Sequence, residues 1–136
     1  MLISDVISRR LTTGHGRDTA NGRYGFVWQQ TKGKGELLPF LDRFKIDIST
    51  SGRGINDSGL VVGFTSNATG AGDGFVGSDA SGYQRLVAPR GEVPGNSTVC
   101  EGINNLAQVV CAIGDPSGQT LGAFIGSPSD GRGDER

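Results

Sequence analysis

The chain has 136 residues and a mass of 14.1 kDa, the size of one domain and too short for two independent cores. Glycine takes 24 positions and proline 5, a turn-rich composition unsuited to long helices. The net charge of −1 leaves no basic excess to draw a phosphate backbone or an anionic lipid surface, so neither nucleic acid nor membrane is an expected partner.

In chain order, the opening stretch is apolar but broken by Ser4, Asp5 and Ser8, and its charges, Arg9 and Arg10, come last. A secretory signal needs the reverse order and an unbroken apolar run. The expectation is either a cytoplasmic chain or a piece of a longer exported protein. The next stretches contain one tetrapeptide in three versions: Gly25-Phe26-Val27-Trp28, Gly74-Phe75-Val76-Gly77 and Ala123-Phe124-Ile125-Gly126, starting 49 residues apart each time. A second motif, Gly54-Ile55-Asn56-Asp57-Ser58-Gly59-Leu60-Val61-Val62-Gly63, recurs from Gly102 to Cys111 at an offset of 48. Two motifs at one spacing define a repeat unit. One step back from Gly54 lands on Asp5, and Val6, Leu11, Gly14 and Gly25-Phe26 keep the register. The copies expected are therefore about 5–53 (a degenerate one that lacks the Asn-Asp turn), 54–101 and 102–126, in a single domain over 1–126, with 127–136 a disordered tail.

Within a unit the local chemistry reads strand, turn, strand. Asn56-Asp57-Ser58-Gly59 tolerates positive φ and lies between Ile55 and the run Leu60-Val61-Val62, a hairpin signature. Leu60, Val62 and Phe64 share one face and Val61 and Gly63 the other, so this strand should be buried on both sides. Gly74 to Ser78 supplies a third strand and Tyr83 to Ala88 a fourth. Leu37, Leu41 and Phe44 fit a helical spacing, but the repeat alignment favours strand and loop there. The fold class expected is all-β: repeated four-stranded antiparallel blades, propeller-like, about two to three in number.

The alternation of the Gly-Ile-Asn turn motif at Gly54 and Gly102 with the Gly-Phe or Ala-Phe pairs at Phe75 and Phe124 resembles the HAF-type repeats of bacterial extracellular proteins. The resemblance covers 54–126 well and 5–53 weakly. The histidine of that family's His-Ala-Phe triplet is replaced here by Tyr24, Asp73 and Gly122. The resemblance implies a propeller-like repeat, and an extracellular or cell-envelope location. Closed propellers typically need 4 to 8 blades, so with at most three blades the chain is expected to be a fragment of a longer propeller, to complete a ring by homo-oligomerising, or to be an open stack.

Catalytic and metal constellations are sparse. His15 is the one histidine, and it lacks a legible partner for general-base work. His15, Cys100 and Cys111 show none of the short paired spacings of zinc ligands. Asp73, Asp79 and Asp115 lie in Gly- and Ser-rich loops without a calcium-loop pattern, and no glycine stretch matches a phosphate loop. No cofactor and no metal are expected, and the chain reads as a non-catalytic structural or interaction module with a possible protein partner. The alternative is a few-blade carbohydrate-binding module in which Trp28, Tyr24, Tyr83 and Arg85 would contact the sugar.

The two cysteines follow from hairpin register. A turn centred between Asn105 and Leu106 pairs residues whose numbers sum to 211, which sets Cys100 opposite Cys111. The same positions one copy earlier, 52 and 63, are both glycine. The pair is expected to be adjacent, within bridging distance; without an export signal a reduced pair is the expectation and a cross-strand disulfide the alternative.

Overall fold

In the computed structural model the backbone is described for residues 2–7, 11–17, 23–29, 34–37, 47–67, 71–78, 80–128 and 133–134, and side chains for 50–66, 71–78 and 80–128. The described residues form strands and one 3₁₀ turn, Pro89–Glu92, so the chain is all-β. The strands are β1 (Leu2–Ile7), β2 (Leu11–Arg17), β3 (Arg23–Gln29), β4 (Lys34–Leu37), β5 (Asp47–Ile55), β6 (Val61–Asn67), β7 (Gly74–Ser78), β8 (Gly82–Leu86), β9 (Ser97–Ile103), β10 (Val109–Gly114), β11 (Thr120–Gly126) and β12 (Gly133–Asp134).

Each strand pairs antiparallel with the next within three successive groups: β1-β2-β3-β4, β5-β6-β7-β8 and β9-β10-β11-β12. A single parallel pair, Arg23 with Ser49, joins the first meander to the second. Neither sheet closes among the described residues: one path runs from β1 to β8 and the other from β12 to β9.

The three meanders share one register. Gly14 faces Phe26, Gly63 faces Phe75 and Cys111 faces Phe124. Between the first and second strands of each, the register slips by one residue at Ser4, Arg53 and Glu101. Such a bulge leaves one residue unpaired and bends its strand, so it governs how each meander's leading strand lies. β5 lies against β1, β2 and β3, and β9 lies against β5, β6 and β7.

The core between the second and third meanders explains the alternation. Val62, Val76 and Leu86 project from one side; Cys100, Val109, Cys111, Ile113 and Phe124 meet them, with Ile103 and Leu121 packed at the edge. On the opposite face of the second meander Ile55, Val61 and Phe75 are also buried. Consecutive valines on β6, Val61 and Val62, are both fully buried because successive residues point to opposite faces and both faces are covered.

Two expectations are corrected here. The meanders begin at Leu2, Asp47 and Ser97, whereas the copies were drawn from 5, 54 and 102. The Asn motif marks the turn inside the first hairpin, so a boundary drawn there cuts β5 and β9 in two. The tail is also not wholly disordered, since Gly133 and Asp134 return to pair with Gly126 and Ile125. The Gln84 side chain holds the tail's start by donating to the Pro128 carbonyl at 2.7 Å. Of the stretch weighed between helix and strand, residues 37–44, only Leu37 is described, as the last residue of β4; 38–44 lie outside the described residues.

Candidate interaction surface

One turn design occurs three times. In Asn56–Leu60 the Gly59 N–H donates to the Asn56 carbonyl at 3.0 Å and the Asn56 N–H to the Leu60 carbonyl at 3.1 Å, while Asn56 Oδ1 accepts the N–H groups of Ser58 and Leu60. Asn104 repeats every one of these bonds toward Leu106, Ala107 and Gln108. Asp115 repeats them toward Ser117, Gly118 and Gln119. Each is a three-residue loop in which the last residue takes positive φ: Gly59 at 84°, Ala107 at 60° and Gly118 at 88°. Glycine enters that region freely, whereas alanine does so at a cost.

The first two turns stack on each other across the meander boundary. Asn56 Nδ2 donates to the Asn104 carbonyl at 3.1 Å, the Asp57 N–H to Asn105 Oδ1 at 2.9 Å, and Asn105 Nδ2 returns to Asp57 Oδ2 at 2.9 Å. Asn56 is only 2% exposed, so its amide is satisfied by this stacking rather than by water. Ile7 holds the corresponding position in the first meander, opposite Leu11.

Cys100 and Cys111 face each other and are joined in a disulfide, with Cα atoms 3.9 Å apart. The favoured reduced form is thereby corrected. The register argument also needs correcting in its steps. Ile103 pairs with Val109 and Gly102 with Val110, sums of 212 set by the odd-length turn, and the bulge at Glu101 restores 211 at the cysteines. Room for the bridge comes from the neighbouring meander, because a Cβ on Gly74 would run into the Cys100 sulfur.

The residues proposed to contact a sugar fall on two meanders. Tyr24 and Trp28 sit on β3, and their side chains lie outside the described residues. Tyr83 and Arg85 sit two residues apart on β8, which pairs with β7 alone among the described strands. Tyr83 packs edge-on against Phe75, ring centroids 6.0 Å apart. The Arg85 guanidinium grips Asp73 through Nε and Nη2 and donates from Nη1 to Glu92 at 3.0 Å. Burial works to lower the Arg85 pKa, but the hydrogen bond and charge of Asp73, then those of Glu92, outweigh it and hold it above its ordinary value. All three guanidinium nitrogens therefore have partners within the protein.

Of the loop carboxylates weighed for calcium, Asp73 and Asp115 are likewise engaged. Asp73 holds Arg85, and Asp115 anchors its turn, where the Ser117 hydroxyl hydrogen bond, helped by backbone N–H groups of Gln119, Ser117 and Gly118, keeps its carboxyl below its ordinary value despite opposing desolvation. Asp79 lies outside the described residues. Among the described residues no three His, Cys, Asp or Glu side chains converge as metal ligands would.

One face remains open. The outward side of β9, β10 and β11 presents Val99, Val110, Ala112, Ala123 and Ile125, with Val110 48% and Ile125 47% exposed. A shallow groove of about 760 Å³ crosses it, lined by Ser97, Val99, Glu101, Ala112, Asp115 and Thr120 among others. No family model, curated protein or solved structure matches this chain.

Proposed function

We propose that the protein is a non-catalytic interaction module built of propeller-like blades, in which each meander is one copy of a stacking unit. The observation that carries this reading is the bond-for-bond match of the Asn56 and Asn104 turns, together with their direct stacking at an offset of 48 residues. Among the described residues Asn56, Asp57 and Asn105 join meander to meander, and Asp115 braces a turn. The buried Cys100–Cys111 bridge supports assignment to an oxidising compartment, extracellular or cell-envelope, in agreement with the HAF-type resemblance.

The carbohydrate-binding alternative requires Tyr83 and Arg85 as contact groups, and their packing on Phe75, Asp73 and Glu92 favours a structural role for both. A glycan array probed with the intact, oxidised chain separates the two readings. The module reading expects no sugar retained above background. Specific retention that is abolished by Trp28→Ala would overturn it in favour of the lectin.

A further inference from the structure

Register identifies what the open face lacks. Val110 and Ile125 occupy on β10 and β11 the positions that Val62 and Val76 occupy on β6 and β7. Val62 and Val76 are 0% exposed because the third meander covers them, whereas Val110 and Ile125 stand half in solvent. The turns show the same asymmetry: Asn56 Nδ2 reaches the next meander, while its counterpart Asn104 Nδ2 folds back onto Gln108 Oε1 at 2.8 Å.

We infer that this face binds the first meander of a second copy of the chain, head to tail. β1–β4 of one copy then takes on β9–β12 of another the place that β9–β12 takes on β5–β8 within the chain. The inference rests on reading the meanders as one stacking unit, and three observations carry it. The incoming meander has the required ladder, with Phe26 at the register of Phe124, Gly14 at that of Cys111, Thr12 at that of Val109 and the bulge at Ser4. The contact continues one already made twice in the chain, β5 against the first meander and β9 against the second.

Charge supplies the third observation. Residues 1–49 carry eight Lys and Arg against five Asp and Glu, and residues 97–136 carry two against five. Head and tail therefore attract, whereas a tail-to-tail pairing would set two acidic surfaces, each with an exposed Glu101, against each other. The contact is heterologous, so it ends in a ring if the rotation closes and in a filament if it does not.

Sedimentation of the intact, oxidised chain from about 1 to 100 μM tests the inference. Association that rises with concentration and weakens with salt is expected. Ile125→Lys at the tail and Thr12→Lys at the head should each weaken self-association about 100-fold, the scale of a central interface residue. An equimolar mixture of the two variants should form a heterodimer and nothing larger, because one working head and one working tail remain. Circular dichroism melting checks that both fold, and Val110→Lys replaces Ile125→Lys if that variant melts early. A chain that stays monomeric at the highest concentration overturns the inference. So does a Thr12→Lys chain that still dimerises while the mixture fails to complement, the signature of tail-to-tail pairing. If the chain is monomeric yet Phe75→Ala and Phe124→Ala each remain costly, the stacking unit stands and only the docking falls.

Discussion

The second and third meanders have the same ladder, the same bulge and the same first turn, yet they are stabilised differently. The second is covered on both faces: Ile55, Val61 and Phe75 are buried on one side and Val62, Val76 and Leu86 on the other. The third is covered on one face only and carries the disulfide, at the positions where the second has Gly52 and Gly63. The second meander, packed on both faces, draws its order from its neighbours; the third, packed on one, has a covalent staple across its first hairpin. The comparison shows how one ladder and one first turn serve with either kind of support.

The largest test of that contrast is truncation of the shared phenylalanine. Phe75→Ala and Phe124→Ala should each cost about 3 to 5 kcal/mol in urea unfolding, the range for emptying a buried aromatic site. A loss under about 1 kcal/mol at either would break the equivalence of the two meanders. Reducing the Cys100–Cys111 bridge comes next. Its sequence separation of 11 implies a loss of about 2 to 3 kcal/mol from loop entropy. Hydrogen exchange should show β9 and β10 loosening on reduction before β5 and β6 do, and equal loosening of both hairpins would contradict a staple specific to the third meander.

Between the two stacked turns, Asn56→Ala should cost about 2 to 3 kcal/mol and Asn104→Ala about 1 kcal/mol, since a buried amide that loses its partners is costlier than an exposed one. Thermal melting of the two variants side by side gives the order, and a reversed order would mean that stacking does not hold Asn56. Ala107→Gly should raise stability by about 1 kcal/mol by removing the penalty of a Cβ at positive φ. The smallest effect concerns the third turn. The Asp115 carboxyl is held below its ordinary 3.8 in the folded chain; its contribution is present above that value and is lost as pH falls through the folded one. Asp115→Asn keeps the Oδ1 acceptor but not the charge, so it should flatten this acid limb in a pH series of melting curves and lower stability slightly at neutral pH, by the contribution the carboxylate makes there.

Several of these features were legible in the residues. The Asn56 and Asn104 turns declare themselves because an Asx side chain and a residue suited to positive φ stand at fixed distances around the loop. The phenylalanine spacing of 49 marks one register position, at which Phe75 and Phe124 are both buried; the Phe26 side chain lies outside the described residues. The third turn carried the same signal, Asp115-Pro116-Ser117-Gly118, with Pro suited to the second turn position and Gly to the last. The repeat does not point to it, because it joins β10 to β11, where the second meander has a longer connection between Asn67 and Gly74.

The bulges were not legible. Ser4, Arg53 and Glu101 share no side-chain type that would mark a slip, and the slip itself is a property of strand pairing, which leaves one residue unpaired and bends its strand. That is why the opposition of Cys100 and Cys111 emerged from a turn length that was wrong by one and a bulge that compensated. The roles of Tyr83 and Arg85 were hidden for a related reason: the sequence shows an aromatic and a cation two residues apart, and only the packed sheet brings Phe75, Asp73 and Glu92 to them.

Local chemistry alone therefore determined that the chain is all-β, where its Asn turns lie and which phenylalanines recur, because turn residues and strand periodicity act over a few bonds. Which meander is sandwiched and which is left with an open face, whether the cysteines bridge, and which polar side chains join one meander to the next were decided by the tertiary structure. The first and last of those outcomes depend on contacts between residues about 48 positions apart, whose energies exist only once consecutive meanders have packed, and the bridge depends on a register that the bulge at Glu101 sets.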